Sequence, residues 1–233
     1  MPSAGSLPLF QQISELLIRE IASGRMQDGE RFAPERDLAK TLGVSVGTLR
    51  KSLADLEARG LLDRRQGSGN YVRAQNDATG VYAFFRVELL AGGGLPTARI
   101  LDIQRLPKSA DLPKFGTSTQ AHRIRRLRSL NGIPVALEEI WLDGDCVAEI
   151  SKQDLSESLY LYYRRALGLW VMRADDTVGL GTVPNWTPSE FTLQAGVATV
   201  QIDRLSWSQT GAAIEASRSW IDTSKARYVA RLR

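Results

Sequence analysis

The sequence predicts an α+β protein of two domains: a small N-terminal winged helix-turn-helix domain and a larger α+β domain built on an antiparallel sheet. Residues 32–72 combine helical periodicity, a glycine turn and a basic hairpin with a glycine-containing tip. Six later segments alternate in polarity as strands do. Small and polar residues at 74–80 separate the two patterns. We therefore expect domains at 1–73 and 81–233, with 74–80 as their linker.

Two helices are predicted at the start of the chain. The first has apolar residues at helical spacing ahead of Gly24. The second begins with Pro34, whose missing N–H costs nothing at the first helical position, and ends near Leu42. The apolar face of the first helix consists of Phe10, Ile13, Leu17 and Ile21.

A tight turn and a third helix follow. Gly43 can adopt the left-handed conformation that a turn requires, and Ser45 is a good N-cap. The third helix ends at Gly60, and its apolar face consists of Val46, Leu49, Leu53 and Leu56. Helix, turn and helix in this order are typical of DNA-binding domains that place the second helix of the motif in the major groove.

The third helix and the hairpin after it carry the candidate DNA contacts. The N-terminal part of such a helix meets base edges and phosphates. The hairpin at 63–72 is interpreted as a wing, because its glycines allow the backbone to approach a phosphate or enter a minor groove. A helical hairpin and a β-hairpin that only pack together are the structural alternative. The candidates are Ser45, Gly47, Thr48, Arg50 and Lys51 on the helix, and Arg64, Arg65, Gly67, Ser68 and Gly69 on the wing.

Residues 8–73 resemble the N-terminal domain of GntR-family transcription regulators. The family signature runs Pro-Ser-Glu-Arg, then Val-Ser-Arg-x-Thr-Val-Arg, then Gly-x-Gly-Thr-Phe-Val. The resemblance implies double-stranded operator DNA as a partner and adds Glu35 and Arg36 to the candidate DNA-binding residues. The signature residues present here are Glu35, Arg36, Val44, Ser45, Thr48, Arg50, Gly67, Gly69 and Val72.

The chain departs from this signature at three places. Ala33-Pro34 replaces Pro-Ser, Asn70 stands where Thr is usual, and Val46 occupies the position of an arginine that in the family helps to read the operator. An arginine-to-guanine contact contributes roughly 1–3 kcal/mol of discrimination. Val46 therefore predicts either a variant operator or greater reliance on Arg36, Arg50 and the wing.

Composition limits the chemistry of the chain. It has 233 residues, 43% of them hydrophobic, and a formal net charge of +4. Cys146 and His122 are the only residues of their types, so neither an internal disulfide nor a Cys/His metal cluster is available. No nucleophile–base signature is recognisable, and we expect no cofactor, no metal and no enzymatic activity. Neither a signal peptide nor a membrane span is evident, which predicts a cytoplasmic protein.

The second domain alternates in polarity, and Asn131-Gly132 is a strong hairpin signal within it. One helix is predicted at 156–167 before Gly168. Another is predicted to start at 187–190, where Thr-Pro-Ser-Glu has the residues of a capping box. The predicted strands are 99–106, 122–130, 135–142, 169–180, 200–208 and 214–221.

The most charged strand has four arginines within residues 122–128. Alternate residues of a strand share a face, so Arg126 and Arg128 point the same way, roughly 7 Å apart. Two parallel guanidinium groups can grip an anion, because their forked donors match phosphate, carboxylate or sulfonate oxygens. The alternative is a solvated strand whose arginines pair with Glu138 and Glu139 across the hairpin.

From about residue 95 the chain is similar to the effector-binding domain of the HutC subgroup of GntR regulators, known as UTRA. The shared features are Arg-Leu-Arg, Gly-x-Pro-x-x-x-Glu-Glu, Ser-Leu-Tyr, a helix ending in glycine, a second helix and a final strand with Glu. The resemblance implies a fold like that of chorismate lyase. In members that bind phosphorylated sugars, the arginines and Ser-x-Tyr hold the anionic end and glutamates bind hydroxyls. The corresponding candidate effector-binding residues are Arg126, Arg128, Glu138, Ser158, Tyr160 and Glu215.

The hairpin register decides whether Arg126 and Glu138 share a face. A two-residue Asn131-Gly132 turn sets Arg126 opposite Leu137 and places Glu138 on the other face. One extra loop residue, or a bulge beside Pro134, reverses this arrangement. We expect an odd loop, which brings Arg126 and Glu138 together.

These patterns and the family resemblance predict a homodimeric transcriptional regulator whose operator binding responds to a small anionic metabolite, such as a sugar phosphate, carboxylate or sulfonate. We expect it to act as a repressor, with activation as the alternative. Dimerisation is inferred because two-fold operators require two recognition helices about one helical turn apart, and this chain has one. Two alternatives differ in the second domain. One is the all-helical effector domain of other GntR regulators, and the other is an enzyme-like domain of chorismate-lyase type that converts its ligand.

Overall fold

A computed structural model describes residues 8–73, 84–155 and 158–231 of the chain. These residues form two compact units, one from residues up to 86 together with 229–231, and one from residues 87–228. The predicted linker at 74–80 lies outside the described residues, so the domain bounds stay a prediction. No helix of the described residues is long and apolar enough to cross a membrane.

The N-terminal unit has three helices followed by a hairpin. The helices are α1 (Leu9–Ala22), α2 (Glu35–Thr41) and α3 (Val46–Ala58), and the strands are β1 (Leu62–Arg65) and β2 (Gly69–Val72). Burying one leucine or isoleucine side chain contributes about 1.5–3 kcal/mol. The order and packing of these elements confirm the predicted winged helix-turn-helix fold. Its core includes the buried side chains of Ile13, Leu17, Ile21, Leu49, Leu53 and Leu56.

The turn between α2 and α3 has the predicted features, but α2 starts one residue late. Gly43 has a φ of +65°, and Oγ of Ser45 accepts the backbone N–H of Thr48 at 3.0 Å. Pro34 was expected at the first helical position. Instead its ψ of 139° is extended, and its carbonyl accepts the N–H of Leu38 at 2.9 Å, so Pro34 is the N-cap.

The wing is a β1–β2 hairpin in which Arg65 pairs with Gly69. Gly67 and Gly69 have φ values of +73° and +121°, which other residues rarely adopt. At Gly69 a Cβ would also lie 3.0 Å from Nε of Arg31. Arg31 forms a β-bridge with Tyr71 and so extends the base of the wing.

The C-terminal unit is built on a six-stranded antiparallel sheet of order β4-β5-β6-β9-β8-β7, and β3 and β10 form a separate pair. The six long strands match the six predicted ones to within three residues at each end. This sheet rules out the all-helical alternative. Its strands are β3 (Val87–Leu89), β4 (Pro96–Pro107), β5 (Gln120–Leu130), β6 (Ile133–Asp143), β7 (Val171–Thr182), β8 (Ala198–Ser208), β9 (Ala213–Ile221) and β10 (Ala226–Tyr228).

One face of the sheet is covered by α4 (Leu159–Ala166). Leu159 and Tyr163 of this helix belong to one buried cluster with Ile124 and Ile140 of the sheet. The helix is shorter than the predicted 156–167, and residues 156 and 157 lie outside the described residues. The start of α4 therefore lies over the face of the sheet to which Ile124, and every second residue of β5 counted from it, points.

The opposite face is covered by residues 183–197, where a helix was predicted and is not observed. Residues 187–190 lie in turns and irregular backbone. Phe191 is buried in a cluster with Leu137 and Trp220 of the sheet, and its N–H bonds to the carbonyl of Pro188 at 3.0 Å. The prediction was wrong because burying Phe191 outweighs a favourable N-terminal capping sequence, and β8 already begins at Ala198.

The hairpin between β5 and β6 has a two-residue turn and a bulge. Leu130 pairs with Ile133 across Asn131-Gly132, so the loop has two residues, whereas an odd number was expected. The extra residue is Val135, which lies in a bulge beside Pro134.

The bulge has the effect that the odd loop was expected to have. Proline cannot donate to the ladder, and strands commonly bulge beside it. The shift at Val135 reverses the parity of β6 and sets Arg126 directly opposite Glu138.

Candidate functional site

The first turns of α3 present the predicted helix contacts at the surface. Ser45, Gly47, Arg50 and Lys51 are exposed, and Thr48 is half-buried. The hydroxyls of Ser45 and Thr48 lie 2.9 Å apart. A helix N-terminus that combines hydroxyls with two cations is suited to phosphate oxygens and base edges.

Glu35 of α2 orients Arg50 of α3. Oε2 of Glu35 accepts a hydrogen bond from Nε of Arg50 at 2.7 Å, while the arginine side chain is 66% exposed. An exposed pair of this kind contributes little to stability. We therefore interpret Glu35 as a positioning residue for Arg50, and the neighbouring Arg36 is exposed on the same helix.

The wing holds its two arginines next to carboxylates. Nε of Arg64 lies 2.9 Å from Oε2 of Glu57, and Nε of Arg65 lies 3.0 Å from Oδ2 of Asp63. The guanidinium of Arg65 also stacks on the ring of Tyr71, at 4.3 Å from its centroid. These exposed cations are held close to the tip of the wing.

Tyr71 was predicted to lie in the wing but was given no role, and Arg31 was missed. The hydroxyl of Tyr71 lies 2.7 Å from Oγ of Ser68 and so ties the tip to its base. Since Asp63 pairs with Tyr71 and Arg65 pairs with Gly69, Tyr71 is the diagonal neighbour of Arg65. A hairpin register read from the sequence could have found this role of Tyr71.

Arg126 and Arg128 of β5 converge on Glu138 of β6. Nη2 of Arg126 lies 2.6 Å from Oε2 of Glu138, and Nε of Arg128 lies 3.3 Å from Oε1. The three residues are only 4%, 5% and 8% exposed. The alternative of a solvated strand holds in one respect, because the arginines do pair across the hairpin. It fails in the other, because Arg126 and Arg128 are buried and not solvated.

The arginine cluster, defined here as Arg126, Arg128 and Glu138, brings two guanidinium groups to one carboxyl group. Burial opposes ionisation of Glu138, but the charges of Arg126 and Arg128 outweigh it and hold the pKa of Glu138 below its usual range. One ionised carboxylate thus faces two guanidinium groups. The forked donors of two neighbouring guanidinium groups match the oxygens of phosphate, carboxylate or sulfonate groups.

The other two arginines of β5 have structural partners on the opposite face. Nη2 of Arg123 lies 2.7 Å from Oδ2 of Asp102, and Nε of Arg125 lies 2.7 Å from Oε2 of Glu139. The predicted alternation of β5 therefore separates two pairs of arginines with different surroundings.

Glu215 of β9 accepts hydrogen bonds from hydroxyl groups. Tyr163 donates to Oε2 at 2.6 Å, and Tyr160 and Ser206 donate to Oε1 at 3.3 and 3.1 Å. Glu138 pairs with Ser219 of β9. Glu215 is four residues before Ser219 on the same strand, so Glu215 and Glu138 lie on the same face of the sheet. We call Glu215, Tyr160, Tyr163 and Ser206 the hydroxyl cluster.

The two clusters are electrostatically connected. Burial raises the pKa of Glu215 against the opposing effects of the Tyr163 and Ser206 hydrogen bonds and of the Arg204 and Arg126 charges. Burial and the charge of Glu215 raise the pKa of Tyr160, which keeps that hydroxyl a donor at neutral pH. The influence of Arg126 on Glu215 shows that the two clusters are close enough to interact.

Ser158 is the N-cap of α4 rather than a residue inside its first turn. It is buried, and its Oγ accepts the N–H of Leu161 at 3.4 Å. Tyr160 follows in the first turn and reaches Glu215. The structure thus brings Tyr160 and Glu215 together and places Ser158 at the beginning of the same helix.

Sequence reasoning missed Tyr163, Ser206, Arg204 and Asp176. Arg204 forms a two-pronged pair with Asp176, at 2.6 and 2.7 Å. The available signals were the three-residue spacing from Tyr160 to Tyr163 and the strand alternation from Arg204 to Ser206. Neither signal identifies a partner without the register of β7, β8 and β9.

Comparisons with known proteins agree with both units. A family described as "Bacterial regulatory proteins, gntR family" matches residues 9–72, and the UTRA domain family matches residues 91–227. The chain is 58% identical to the HTH-type transcriptional regulator SmoD of Agrobacterium fabrum, covering 99% of each chain. It is 26% identical to the HTH-type transcriptional repressor NagR of Bacillus subtilis, covering 91% of this chain and 90% of that one.

A solved structure shares the fold. A protein described as "possible transcriptional regulator YydK" of Bacillus subtilis superposes with a TM-score of 0.53 at 20% identity, covering 97% of this chain and 100% of that chain. The fold and the DNA-binding motif define the class of protein as a transcription regulator, not an enzyme. The chain belongs to the GntR family and carries a UTRA domain. The resemblance predicted from its motifs is confirmed.

Proposed function

We propose that this chain is a homodimeric repressor that releases its operator when a small anionic metabolite occupies the arginine cluster. Residues 1–73 would bind the DNA, 81–233 would bind the effector and mediate dimerisation, and 74–80 would link them. Since bacterial chromosomes lie in the cytoplasm, the protein would act there. The observation that carries the proposal is the buried pairing of Arg126 and Arg128 with Glu138.

The DNA-binding half of the proposal rests on exposed donors. The first turns of α3 provide Arg50 and Lys51, and the wing provides Arg64 and Arg65. We propose that α3 enters the major groove and that the wing contacts the adjacent backbone. Because Val46 cannot make the base contact of the arginine usual in the family, we propose either a variant operator or greater reliance on Arg36, Arg50 and the wing.

The effector-binding half rests on charge and on hydroxyl chemistry. The anionic group would dock on Arg126 and Arg128, near the start of α4 with Ser158. Ionised Glu138 and the carboxyl of Glu215 would accept hydrogen bonds from ligand hydroxyls. This arrangement favours a polyhydroxylated anion, such as a sugar phosphate, sugar carboxylate or sugar sulfonate.

Repression and release require only modest coupling between the two sites. A coupling free energy of about 1–3 kcal/mol changes affinity by roughly 5–150-fold. Three similar proteins are named as repressors, namely NagR, the mannosyl-D-glycerate system repressor MngR of Escherichia coli and the histidine utilization repressor of Pseudomonas putida. We propose that the effector moves the two winged domains of the dimer away from operator spacing.

The test is thermal unfolding of the full chain with matched ligands on one sugar: the phosphate, the sulfonate, the carboxylate and the neutral parent. A ligand at about 100 times its dissociation constant stabilises the domain that binds it by roughly 2.7 kcal/mol. We expect at least one anion to stabilise the protein and the neutral sugar to have no effect.

Two variants identify the site, and a second assay tests the coupling. Arg128→Lys keeps the charge but removes the forked donor, and should weaken the ligand-induced shift, whereas Arg65→Lys on the wing should not. The stabilising anion is then added to a complex of the protein with operator DNA followed by fluorescence anisotropy. A ligand that stabilises the protein at saturation but leaves operator affinity unchanged would contradict the proposed regulation.

A further inference from the structure

Large apolar side chains are exposed along one edge of the six-stranded sheet. Met172, Val178 and Leu180 of β7 are 57%, 51% and 82% exposed, and Trp170 just before the strand is 46% exposed. Strand β7 lies at the end of the sheet and pairs only with β8 among the described strands. Clustered apolar exposure on a folded domain marks an interaction surface.

The other edge of the sheet shows how an edge that remains free is protected. Strand β4 has Pro96 and Pro107 at its ends, exposed charge at Arg99 and Arg105, and a bulge next to Ile100. Prolines, charges and bulges all discourage pairing with another strand. The second half of β7, from 177 to 182, has the sequence TVGLGT, with no proline and no charge.

We propose that β7 pairs antiparallel with β7 of a second copy of this chain, around a two-fold axis at Gly179. This inference rests on the homodimer of the proposed function and identifies its interface. In this register Val178 faces the partner's Leu180, and the same contact occurs twice across the axis. Four apolar side chains are then buried on one face, and the main-chain groups of both edges are paired.

Charge disfavours registers centred on the aspartates, and the apolar pair of Val178 and Leu180 places the axis at Gly179 between them. An axis at Asp176 would set this residue opposite its own copy, and an axis between Asp175 and Asp176 would set the two carboxylates opposite each other. Like charges directly opposite each other destabilise a strand pair. An axis at Gly179 pairs the uncharged residues of 177–181 with each other and moves both aspartates away from the centre.

A disulfide across the axis tests the register. Residues directly opposite in an antiparallel pair have Cα atoms about 4.5–5.5 Å apart, inside the roughly 4.4–6.8 Å that a disulfide needs. A Cβ added at Gly179 meets no atom within 4 Å, so Gly179→Cys should fold. The natural thiol of Cys146 is half-buried, and burial together with the charge of Asp143 raises its pKa to about 11, so it should react slowly.

The crosslinking experiment compares full-length Gly179→Cys with Lys152→Cys, which places a thiol at an exposed turn that is not part of β7. Under mild oxidation we expect the first variant to form a covalent dimer in high yield and the second to remain a single chain on a non-reducing gel. A dimeric Gly179→Cys protein that does not crosslink overturns the register.

Sedimentation of a second pair of variants tests the surface itself. Leu180→Lys places a charge against the partner's Val178 on each side of the axis, and burying these charges should weaken dimerisation roughly 100-fold or more. Ile133→Lys changes another exposed apolar residue, 42% exposed at the β5–β6 turn, and should leave the dimer intact. A Leu180→Lys protein that stays as dimeric as wild type overturns the proposed interface but leaves the homodimer standing. A wild-type chain that is monomeric at operator-binding concentrations overturns both.

Discussion

Arginine has two different environments in this chain. On α3 and the wing, the side chains of Arg50 and Arg65 are 66% and 58% exposed. In the sheet, the side chains of Arg126 and Arg128 are 5% and 6% exposed. The distance to the paired carboxylate hardly differs, at 2.7 Å for Arg50 and 2.6 Å for Arg126. Solvent, and not distance, therefore separates the two groups.

The difference in solvent exposure suits the two groups to different anions. An exposed pair is screened by water and salt, so Arg50 can exchange Glu35 for a DNA phosphate or a base edge at little cost. A buried pair cannot separate without leaving a charge in the interior. Arg126 is therefore suited to a small anion that binds while its pairing with Glu138 stays intact. Arg50 is suited to a long polyanion that approaches from solvent.

The largest expected effect is on stability, from Arg126→Ala. Arg126→Ala breaks the closer of the two buried ion pairs of Glu138, 2.6 Å against 3.3 Å, and breaking a buried pair costs about 3–5 kcal/mol. Arg50→Ala is the matched change at an exposed pair and should cost about 0–1 kcal/mol. Urea denaturation of both variants measures the free energies of unfolding. Equal losses would show that the two environments do not differ as described.

Glu138→Gln should have the next largest effect, and its size should depend on pH. The pKa of Glu138 is lowered in the folded protein, so ionised Glu138 stabilises the fold above the ordinary carboxyl range. That contribution is lost as the pH falls through the lowered pKa. The amide loses charge-assisted hydrogen bonds worth about 2–3 kcal/mol at neutral pH.

Unfolding measured across the acidic range tests this prediction. The stability difference between wild type and Glu138→Gln should be greatest near neutral pH and shrink towards acid. Glu215→Gln provides the control with opposite sign, because burial raises the pKa of Glu215. The stabilising contribution of protonated Glu215 is present at low pH and is lost as the pH rises through that raised pKa. Parallel pH profiles for the two variants would refute the assignment.

Arg50→Ala should have a smaller effect, on DNA binding and not on folding. Loss of one arginine contact to a base or phosphate should weaken operator binding by about 1–3 kcal/mol. If the contact is to phosphate, the slope of log affinity against log salt should fall by about one. Anisotropy titrations at several salt concentrations measure both quantities. Arg128→Lys without effector should bind operator as wild type does. Weaker operator binding by this variant would contradict the separation of exposed DNA-binding arginines from buried effector-binding arginines.

The smallest effect is expected from Glu35→Gln. The amide can still accept a hydrogen bond from Arg50 but no longer forms an ion pair, so the change in stability should stay below about 1 kcal/mol. If Glu35 only orients Arg50, operator binding should weaken slightly in wild type and not at all in the Arg50→Ala background. Additive losses in a double-mutant cycle would instead indicate that Glu35 contacts DNA itself.

The sequence alone was sufficient for the elements whose signals are local. Ser45 caps α3 and Gly43 takes the left-handed turn because both preferences depend on a few neighbouring residues. The long strands were found through alternation, which is also local. The family motifs led to the arginine pair of β5, because the parity of one strand already places Arg126 and Arg128 on the same side.

Only the tertiary structure decided what those arginines meet. The bulge at Val135 sets Arg126 opposite Glu138, and packing of α4 carries Tyr163 to Glu215. The helix expected to start at 187–190 does not form, because burying Phe191 against the sheet is more favourable than the local capping preference. These outcomes depend on contacts between residues far apart in the chain, whose energies exceed local preferences. Whether an arginine is solvated or buried is likewise decided by what packs over it, and here that difference separates the proposed DNA contacts from the proposed effector pocket.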